Sequence, residues 1–166
     1  LIVRQFEETH RSHHMVLLDT RRDAWERRAF EMGVSVAASL AVAGSGEART
    51  VSMHTSDEWI PTASPVVMLD ALSEMEVSVR RDFEAVVRRC VMERGAISAL
   101  SIVVGEGTSD DEASRLANIA PIDVAVSVIR VVPGSARRRR RMSRGVIIDC
   151  PSLEDLPVLI SRGVSL

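Results

Sequence analysis

The chain has 166 residues, of which 46% are hydrophobic, and its formal net charge is -2. That length and apolar content suffice for one sizeable core and are too small for two ordinary domains, so a single domain is expected. The slightly acidic balance excludes a global basic field that would drive non-specific nucleic-acid binding, and no nucleic-acid partner is expected. All 21 basic residues are arginine, which removes lysine Schiff-base chemistry from the candidate activities.

Hydropathy and cysteine content indicate a soluble domain with free thiols. No apolar run approaches the length of a membrane-spanning helix, and no basic-then-apolar signal peptide opens the chain. Cys90 falls in a predicted helix and Cys150 at a predicted strand end. Small buried thiols are the favoured interpretation of both residues, in preference to a disulfide or a reactive site.

Apolar runs typical of buried strands recur along the chain, and turn signals end each of them. The alternation of residues 3–8 suits an exposed strand at the start of the chain. Continuous apolar runs belong in a parallel sheet that is covered on both faces. Such strands are expected near residues 14–19, 49–54, 97–104, 124–132 and 146–149, with a short edge strand at Trp59–Ile60 before a proline.

Segments of helical periodicity separate these strands. Glycine or proline ends most of them, and Ser152 is expected to cap the last one. Helices are expected over about 24–43, from Pro65 onward, and over 79–92, 113–120, 135–144 and 152–161. Alternating strands and helices of this length predict an α/β fold, a doubly wound, mostly parallel sheet with helices on both faces and Rossmann-like topology.

The carboxyl ends of the strands form the predicted functional edge of such a sheet. Four segments are expected to meet there: 19–23, 54–56, 105–107 and 133–134. Asp19 ends the first buried strand, where a phosphatase of the haloacid dehalogenase type carries its first Asp, but such an enzyme needs Asp where Arg21 stands. A phospho-receiver needs its acceptor Asp on a later strand. Both enzymatic interpretations therefore lack a required group.

The loop that begins at Gly105 superficially resembles a dinucleotide-binding loop, but its third glycine is missing. Glu106, Asp110, Asp111 and Glu112 crowd the following helix start with negative charge, which would repel a phosphate. A well-capped helix is the favoured interpretation. The sequence also has no Gly-x-Ser-x-Gly elbow and no Walker-type motif, so a classical hydrolase or ATPase is not expected.

His10, His13 and His14 are close together and would share a metal only with helical spacing. On an extended approach to a strand, adjacent residues point to opposite faces, which favours solvated or packing histidines. Trp25 and Trp59 are interpreted as core or sheet-covering residues and not as ligand platforms.

The densest charge feature is a run of five arginines, with a sixth at Arg144. On the predicted helix these side chains project around most of the circumference, so they cannot all contact one ligand. The favoured interpretation is a solvated outer helix that contacts an acidic protein partner or anionic membrane head groups. Nucleic acid is disfavoured because no aromatic residues interleave the run. The predicted partner-binding residues are Arg137, Arg138, Arg139, Arg140 and Arg141.

The opening residues Leu1-Ile-Val-Arg-Gln-Phe-Glu-Glu8 are followed by a buried strand that ends in Val16-Leu-Leu-Asp19. The helix pattern Phe30-Glu-x-x-Val-Ser-Val-Ala-Ala38 and the ending Ser152-Leu-Glu-Asp-Leu-Pro157 complete the set. Together these segments resemble the domain of unknown function 58 family and its C-terminal von Willebrand factor A-like domain. The resemblance spans nearly the whole chain.

The resemblance implies a domain division and a cellular setting. Residues 1–12 would end an upstream region with a strand and a connector, and residues 13–166 would form the von Willebrand factor A-like domain. The implied function is non-catalytic protein interaction or scaffolding, in partnership with a MoxR-type AAA+ ATPase. The domain would lie in the cytoplasm, held at the membrane through an upstream segment of a larger protein.

Von Willebrand factor A-like domains often hold a divalent metal, and the resemblance carries its ligand positions to Asp19, Arg21, Asp23, Ser78 and Glu106. Only the first Asp is retained, and Arg21 replaces a serine ligand with a group that offers donors only. Magnesium is therefore disfavoured and no cofactor is expected. Two arrangements stay open: Arg21 pairs with Asp19, Asp23 or Glu106, or it swings outward. The second would favour the alternative function, a metal-dependent ligand-binding or hydrolytic domain that uses Asp19, Asp23 and Glu106.

Overall fold

The structure, a computed structural model, describes residues 12–26, 28–47 and 49–161. The strands are β1 (His13–Leu18), β2 (Thr50–Thr55), β3 (Trp59–Ile60), β4 (Ala99–Gly105), β5 (Ala125–Val131), β6 (Arg138–Arg141) and β7 (Val146–Cys150). The helices are α1 (Ala29–Gly46), α2 (Pro65–Ser73), α3 (Phe83–Arg94), α4 (Asp110–Ala117) and α5 (Leu156–Ser161). The strand predicted over residues 3–8 lies outside the described residues.

The strands form one seven-stranded sheet in the order β3-β2-β1-β4-β5-β7-β6. The five central strands are mutually parallel, which confirms the strands predicted from the apolar runs. The edge strands β3 and β6 pair antiparallel with β2 and β7. After β1, the chain adds β2 and β3 on one side of β1 and then crosses to add β4 on the other side. The fold is therefore a mostly parallel α/β sheet, compatible with a Rossmann-like topology.

Helices cover both faces of the sheet. The side chains of β1 alternate, so that Val16 and Leu18 join one core layer while Met15 and Leu17 join the other. The first layer is closed by α1, α2 and α5, and the second by α3 and α4. Because both layers are apolar, the central strands are buried on two sides, as the apolar runs in β1, β4 and β7 predict.

The first long helix begins later than its periodicity predicts. Arg22–Ala24 form a single 3-10 turn, and α1 starts at Ala29 instead of about residue 24. The indole Nε1 of Trp25 donates to the backbone oxygen of Asp19 at 2.6 Å, which holds this turn against the end of β1. The α1 helix extends through Gly46, so Gly44 does not end it.

By length and composition alone, α1 would be able to cross a membrane, which the sequence analysis did not anticipate. Its mean hydropathy is 1.3, and half of the helix is buried within the domain. The buried residues include Val36, Ala37 and Ala41, which pack in the first core layer. These contacts are those of the core helix of an α/β domain.

The predicted arginine-rich helix over residues 135–144 is wrong, because Arg138–Arg141 form the edge strand β6. Two glycines with positive φ, Gly134 at 73° and Gly145 at 72°, make the turns on either side of the strand. Backbone pairing places Arg138 opposite Asp149 and Arg141 opposite Val146 on β7. The arginines therefore alternate between the two faces of the sheet and do not project around a helix.

Candidate functional site

The strand order reverses between β1 and β4, and their carboxyl ends meet at that point. Asp19, the residue after β1, is fully buried there. Its backbone N–H donates to the oxygen of Val103 on β4 at 2.9 Å, which continues the parallel pairing past the end of β1. The carboxylate of Asp19 is thus fixed at the place where α/β proteins bind ligands.

The Arg21 guanidinium lies directly on the Asp19 carboxylate. Its Nε is 3.0 Å from each carboxylate oxygen, and its Nη2 is 2.7 Å from Oδ2. The backbone N–H of Arg21 donates to Oδ1 at 2.9 Å, and the Ser56 hydroxyl donates to the same oxygen at 3.4 Å. Multiple charge-assisted hydrogen bonds in one plane are the strongest guanidinium–carboxylate geometry.

Glu112, in the first turn of α4, completes the group that we call the switch-point cluster: Asp19, Arg21, Ser56 and Glu112. The Nη2 of Arg21 also donates to Glu112 Oε1 at 2.7 Å. The Cζ of Arg21 lies 5.9 Å from the ring centroid of Phe83, which begins α3. The side chain of Arg21 is only 11% exposed. It therefore bridges the ends of β1, α3 and α4.

Burial and the neighbouring charges have opposite effects on the pKa values of Arg21 and Asp19. Burial alone lowers the pKa of Arg21, but hydrogen bonds to Asp19 and Glu112 and their negative charges raise it above its ordinary value. Burial raises the pKa of Asp19, and the hydrogen bonds and charge of Arg21 oppose that rise. Since the guanidinium stays protonated, a fixed positive charge lies between two carboxylates.

Ser78 reaches the same edge, as the resemblance implies, but its hydroxyl is engaged elsewhere. Its backbone forms a parallel bridge with Arg21, and its N–H donates to Thr20 oxygen at 2.6 Å. The Ser78 hydroxyl donates to Asp57 Oδ1 at 2.9 Å, and Arg80 Nε lies 3.0 Å from the same oxygen. The candidate serine ligand is therefore held in a second polar contact beside the switch-point cluster.

The Gly105 loop packs against the 3-10 turn, which explains its small residues. An added Cβ on Gly105 would lie 1.9 Å from the backbone oxygen of Ala24, so only glycine fits. The Gly107 N–H donates to that oxygen at 3.2 Å. Glu106 accepts a hydrogen bond from the backbone N–H of Glu26 at 3.3 Å. The loop is thus held against the 3-10 turn at the carboxyl edge of the sheet. Ser109, which follows the loop, caps α4 by accepting a hydrogen bond from the N–H of Glu112.

The residues at the implied metal positions do not fit a divalent cation. The Arg21 guanidinium takes both oxygens of Asp19, so an ion at that carboxylate would have to displace an ion-paired cation. Asp23 is exposed, and the Ser78 hydroxyl is turned to Asp57. Among residues 12–26, 28–47 and 49–161, no group of three or more His, Cys, Asp and Glu side chains is arranged to hold a metal.

The predicted partner-binding arginines lie at the opposite edge of the sheet from β3. On the α4 face, Arg140 pairs with Asp110 and with Asp149 Oδ2 at 3.5 Å. Arg130 on β5 supports the same group, because its guanidinium contacts Asp149 and Asp110 at 2.8 Å each. The hydrogen bonds of Arg140 and Arg130 lower the pKa of Asp110. Arg140 is therefore partly used to hold β6 on the domain.

The other arginines of the run have different surroundings. Arg139 lies on the α5 face and donates to the backbone oxygen of Leu159 at 3.2 Å. Arg137 is 54% exposed and lies 3.3 Å from Asp155. Arg138 and Arg141 are exposed, one on each face of β6. The edge strand therefore presents guanidinium groups on both of its faces.

Two of the three other segments expected at this edge contact the neighbourhood of Asp19 directly. Ser56 Oγ accepts from the Thr20 N–H at 2.8 Å, and the Gly105 loop reaches the turn that follows Asp19. Residues 133–134 follow β5, two strands away from β1, and form the turn toward β6. The sequence did not predict Glu112 as a partner of Arg21. The acidic residues in the first turn of α4 were the feature that could have indicated it.

The remaining candidate residues have structural surroundings. His14 Nε2 lies 2.9 Å from Ser101 Oγ, and His13 Nε2 lies 2.8 Å from Ser52 Oγ, on opposite faces of β1 as expected. Cys90 and Cys150 are buried free thiols, which confirms their interpretation. Burial raises the pKa of Cys90 to about 11, so its thiol is unreactive at neutral pH.

Comparisons with protein-family models, with curated proteins and with solved structures gave no match.

Proposed function

We propose that this chain is a non-catalytic protein-interaction domain of the von Willebrand factor A-like type, related to the domain of unknown function 58 family. It belongs to a larger protein that is held at the membrane by another segment, and it recognises an acidic surface of a protein partner. A MoxR-type AAA+ ATPase is the proposed partner. The observation that supports this function best is the edge strand β6, in which Arg138–Arg141 are consecutive arginines.

An edge strand has an unpaired row of backbone N–H and C=O groups on its outer side. In β6 that row is flanked by guanidinium groups, which prevent pairing with a second copy of the same strand because like charges would face each other. The same charges favour an acidic strand or loop, since opposite charges on neighbouring strands attract. Arg138 and Arg141 are exposed and supply this attraction.

The switch point supports a binding function without catalysis. In ligand-binding α/β proteins this crevice receives the substrate or cofactor, but here Asp19, Arg21 and Glu112 bind one another in an internal ion-pair cluster. A pocket of about 410 Å³ remains beside the cluster, and its lining includes Asp23, Ser78 and Arg80. The alternative function is metal-dependent binding or hydrolysis through Asp19, Asp23 and Glu106. Within residues 12–26, 28–47 and 49–161, no group of three or more His, Cys, Asp and Glu side chains could hold a metal, and Glu106 accepts from the Glu26 N–H, so we favour the interaction function. We therefore propose a domain that works without a metal or cofactor.

Replacement of Arg138 and Arg141 by Gln is expected to weaken binding to the MoxR-type ATPase about tenfold and to reduce its salt dependence. The unfolding free energy should change by less than about 1 kcal/mol, because exposed charges contribute little to stability. Affinity is measured by surface plasmon resonance at two salt concentrations. The matched control replaces Arg88 and Arg115, two exposed arginines near Glu84, by Gln.

The control variant loses the same charge and should bind normally. Equal weakening in both variants would show that net charge alone decides binding, and unaltered binding in the first variant would remove β6 from the function. Vesicles that contain anionic lipid provide the second comparison. If the domain binds them in a β6-dependent way and does not bind the ATPase, the partner surface is a membrane and the proposed protein partner is wrong.

Calorimetric titration with magnesium and with manganese tests the metal-free state. The unmodified domain is expected to show no tight binding, because Arg21 occupies the oxygens of Asp19. Arg21→Ser should gain binding, since it leaves Asp19 and Glu112 near each other with their charges uncompensated. A second change, Asp19→Asn, should abolish that gain. Tight binding by the unmodified domain would contradict the proposal.

A further inference from the structure

A small cleft opens on the first face of the sheet, between α1 and α5. It has a volume of about 230 Å³ and lies toward the amino ends of the strands, away from the switch-point cluster. Its floor is built from small residues of β4 and β5: Ala99, Ser101, Ala125 and Ser127. Further along the same strands and face, the residues are Val103 and Ile129, which are buried in the core. The small floor residues are what leave the space open.

The floor is polar where the rest of this face is apolar. Ser101 is 7% exposed, and its hydroxyl is bonded to the ring of His14, which is 9% exposed. The Ser127 hydroxyl has no hydrogen-bond partner among the described residues, although it lies beside the buried Ser101. Ser127 is half-buried and lines the cleft, so its hydroxyl can hydrogen-bond a bound ligand.

The rim of the cleft is basic and its walls are apolar. Arg49 and Arg139 line it from opposite ends of the sheet, and Leu40, Ile148 and Ile160 provide hydrocarbon surface. One N–H of Arg139 is used by the oxygen of Leu159, and a guanidinium carries five such donors. Arg49 is balanced by Glu47 at 3.0 Å, which leaves Arg139 as the main source of positive charge.

We propose that this cleft binds a small aliphatic monocarboxylate, with the carboxylate held by Arg139 and the Ser127 hydroxyl and the hydrocarbon body against Leu40 and Ile160. A cationic ligand is disfavoured by the two arginines at the rim. A nucleotide or dinucleotide is too large, because pockets for drug-sized ligands have volumes of about 300–1,000 Å³. The site is independent of the partner-binding edge, which uses the exposed Arg138 and Arg141.

Titration of the ¹⁵N-labelled domain with hexanoate, followed by NMR, tests the proposal. Saturable shifts are expected at the amides of residues 99–101 and 125–127, with a Kd of about 1 mM, which suits so small a ligand. 1-Hexanol and hexylamine have the same hydrocarbon body without the negative charge. They should bind about tenfold more weakly, because they lose the charge-assisted hydrogen bond to Arg139.

Three variants locate the site. Arg139→Gln should remove the preference for hexanoate over 1-hexanol, whereas Arg88→Gln, a change at an exposed arginine of α3 outside the cleft, should keep it. Ser127→Val should fill the floor and weaken hexanoate binding at least about fivefold, with the fold verified by the unchanged remainder of the spectrum. The proposal is overturned by an absence of saturable shifts, by equal affinity for hexanoate and 1-hexanol, or by normal binding in Ser127→Val.

Discussion

Replacement of Arg21 by Met is expected to lower the unfolding free energy by about 3–5 kcal/mol, because it leaves a buried carboxylate without its counter-charge. Asp19 is 0% exposed, and three hydrogen bonds from the Arg21 side chain are lost with the guanidinium. The pair with Glu112 and the contact with the Phe83 ring are lost as well. Urea denaturation at pH 7, monitored by circular dichroism, measures the change.

Two comparisons separate the effect of the buried pair from a general effect of losing an arginine. Arg80→Met removes an ion pair of similar length to Asp57, but both side chains there are more than 40% exposed. That variant should lose less than about 1 kcal/mol. The double variant Asp19→Asn with Arg21→Met removes the unpaired charge and should recover part of the lost stability. Equal losses for Arg21→Met and Arg80→Met would contradict the interpretation of Arg21 as the centre of the cluster.

The parallel core of the sheet was predictable because its signal is local. Most central strands contain an apolar run with a turn at its end, a composition that is typical of strands buried on both faces. The segment Met15–Leu18 and the segment Ile147–Ile148 both show it. No comparable signal exists for β6. A run of arginines has no apolar alternation, and its strand conformation depends on pairing with β7, a tertiary contact that local propensity does not contain.

Two turn glycines were the sequence signal that could have predicted β6. Gly134 and Gly145 bracket the arginines at a spacing that suits a strand between two turns, and both adopt positive φ. The late start of α1 has a similar origin. Trp25 has helical spacing to the apolar residues that follow, but its indole bonds to the end of β1 and holds the chain outside the helix. In both places a long-range contact overrides the periodicity of the sequence.

Within the switch-point cluster, the sequence predicted Asp19 and Arg21 as neighbours but did not predict Glu112. Asp19 follows a buried strand, and Arg21 occupies the position of a serine metal ligand in the family that the chain resembles. An ion pair that includes Arg21 was therefore one of the two arrangements left open by the sequence. The choice of Glu112 over Asp110 and Asp111 depends on which side of the first turn of α4 faces β1. That orientation follows from packing of Ala113 and Leu116 in the second core layer, and the acidic sequence alone does not specify it.

The arginines discussed above have two different roles: some stabilise the fold and others are available to a partner. Arg21, Arg130 and Arg140 each contact two carboxylates and hold elements together. Arg138 and Arg141 are exposed at the edge. Because the paired arginines are partly buried and the edge pair is solvated, salt should weaken partner binding more than it weakens folding.

Acid is expected to destabilise the domain through His14 before most carboxylates are protonated. Burial, helped by the charge of Arg49 and opposed by Glu47, lowers the pKa of His14 from 6.5 to about 4 in the folded state. The ring is therefore neutral in the folded domain and accepts a proton in the unfolded chain below about pH 6.5. Its contribution is fully present above that pH and is lost as the pH falls toward 4.

The expected loss between pH 6.5 and 4 is about 3 kcal/mol, since each unit of pKa difference corresponds to about 1.4 kcal/mol. His14→Gln keeps a donor for Ser101 and removes the titrating ring, so its unfolding free energy should be flatter over this range. His13→Gln is the matched control, because His13 is the adjacent histidine on the other face of β1 and is less buried. Urea denaturation at half-unit steps of pH measures all three proteins. Parallel pH profiles for the unmodified domain and His14→Gln would show that His14 does not carry the acid sensitivity, whereas a flattening confined to His14→Gln is the result that burial of its ring requires.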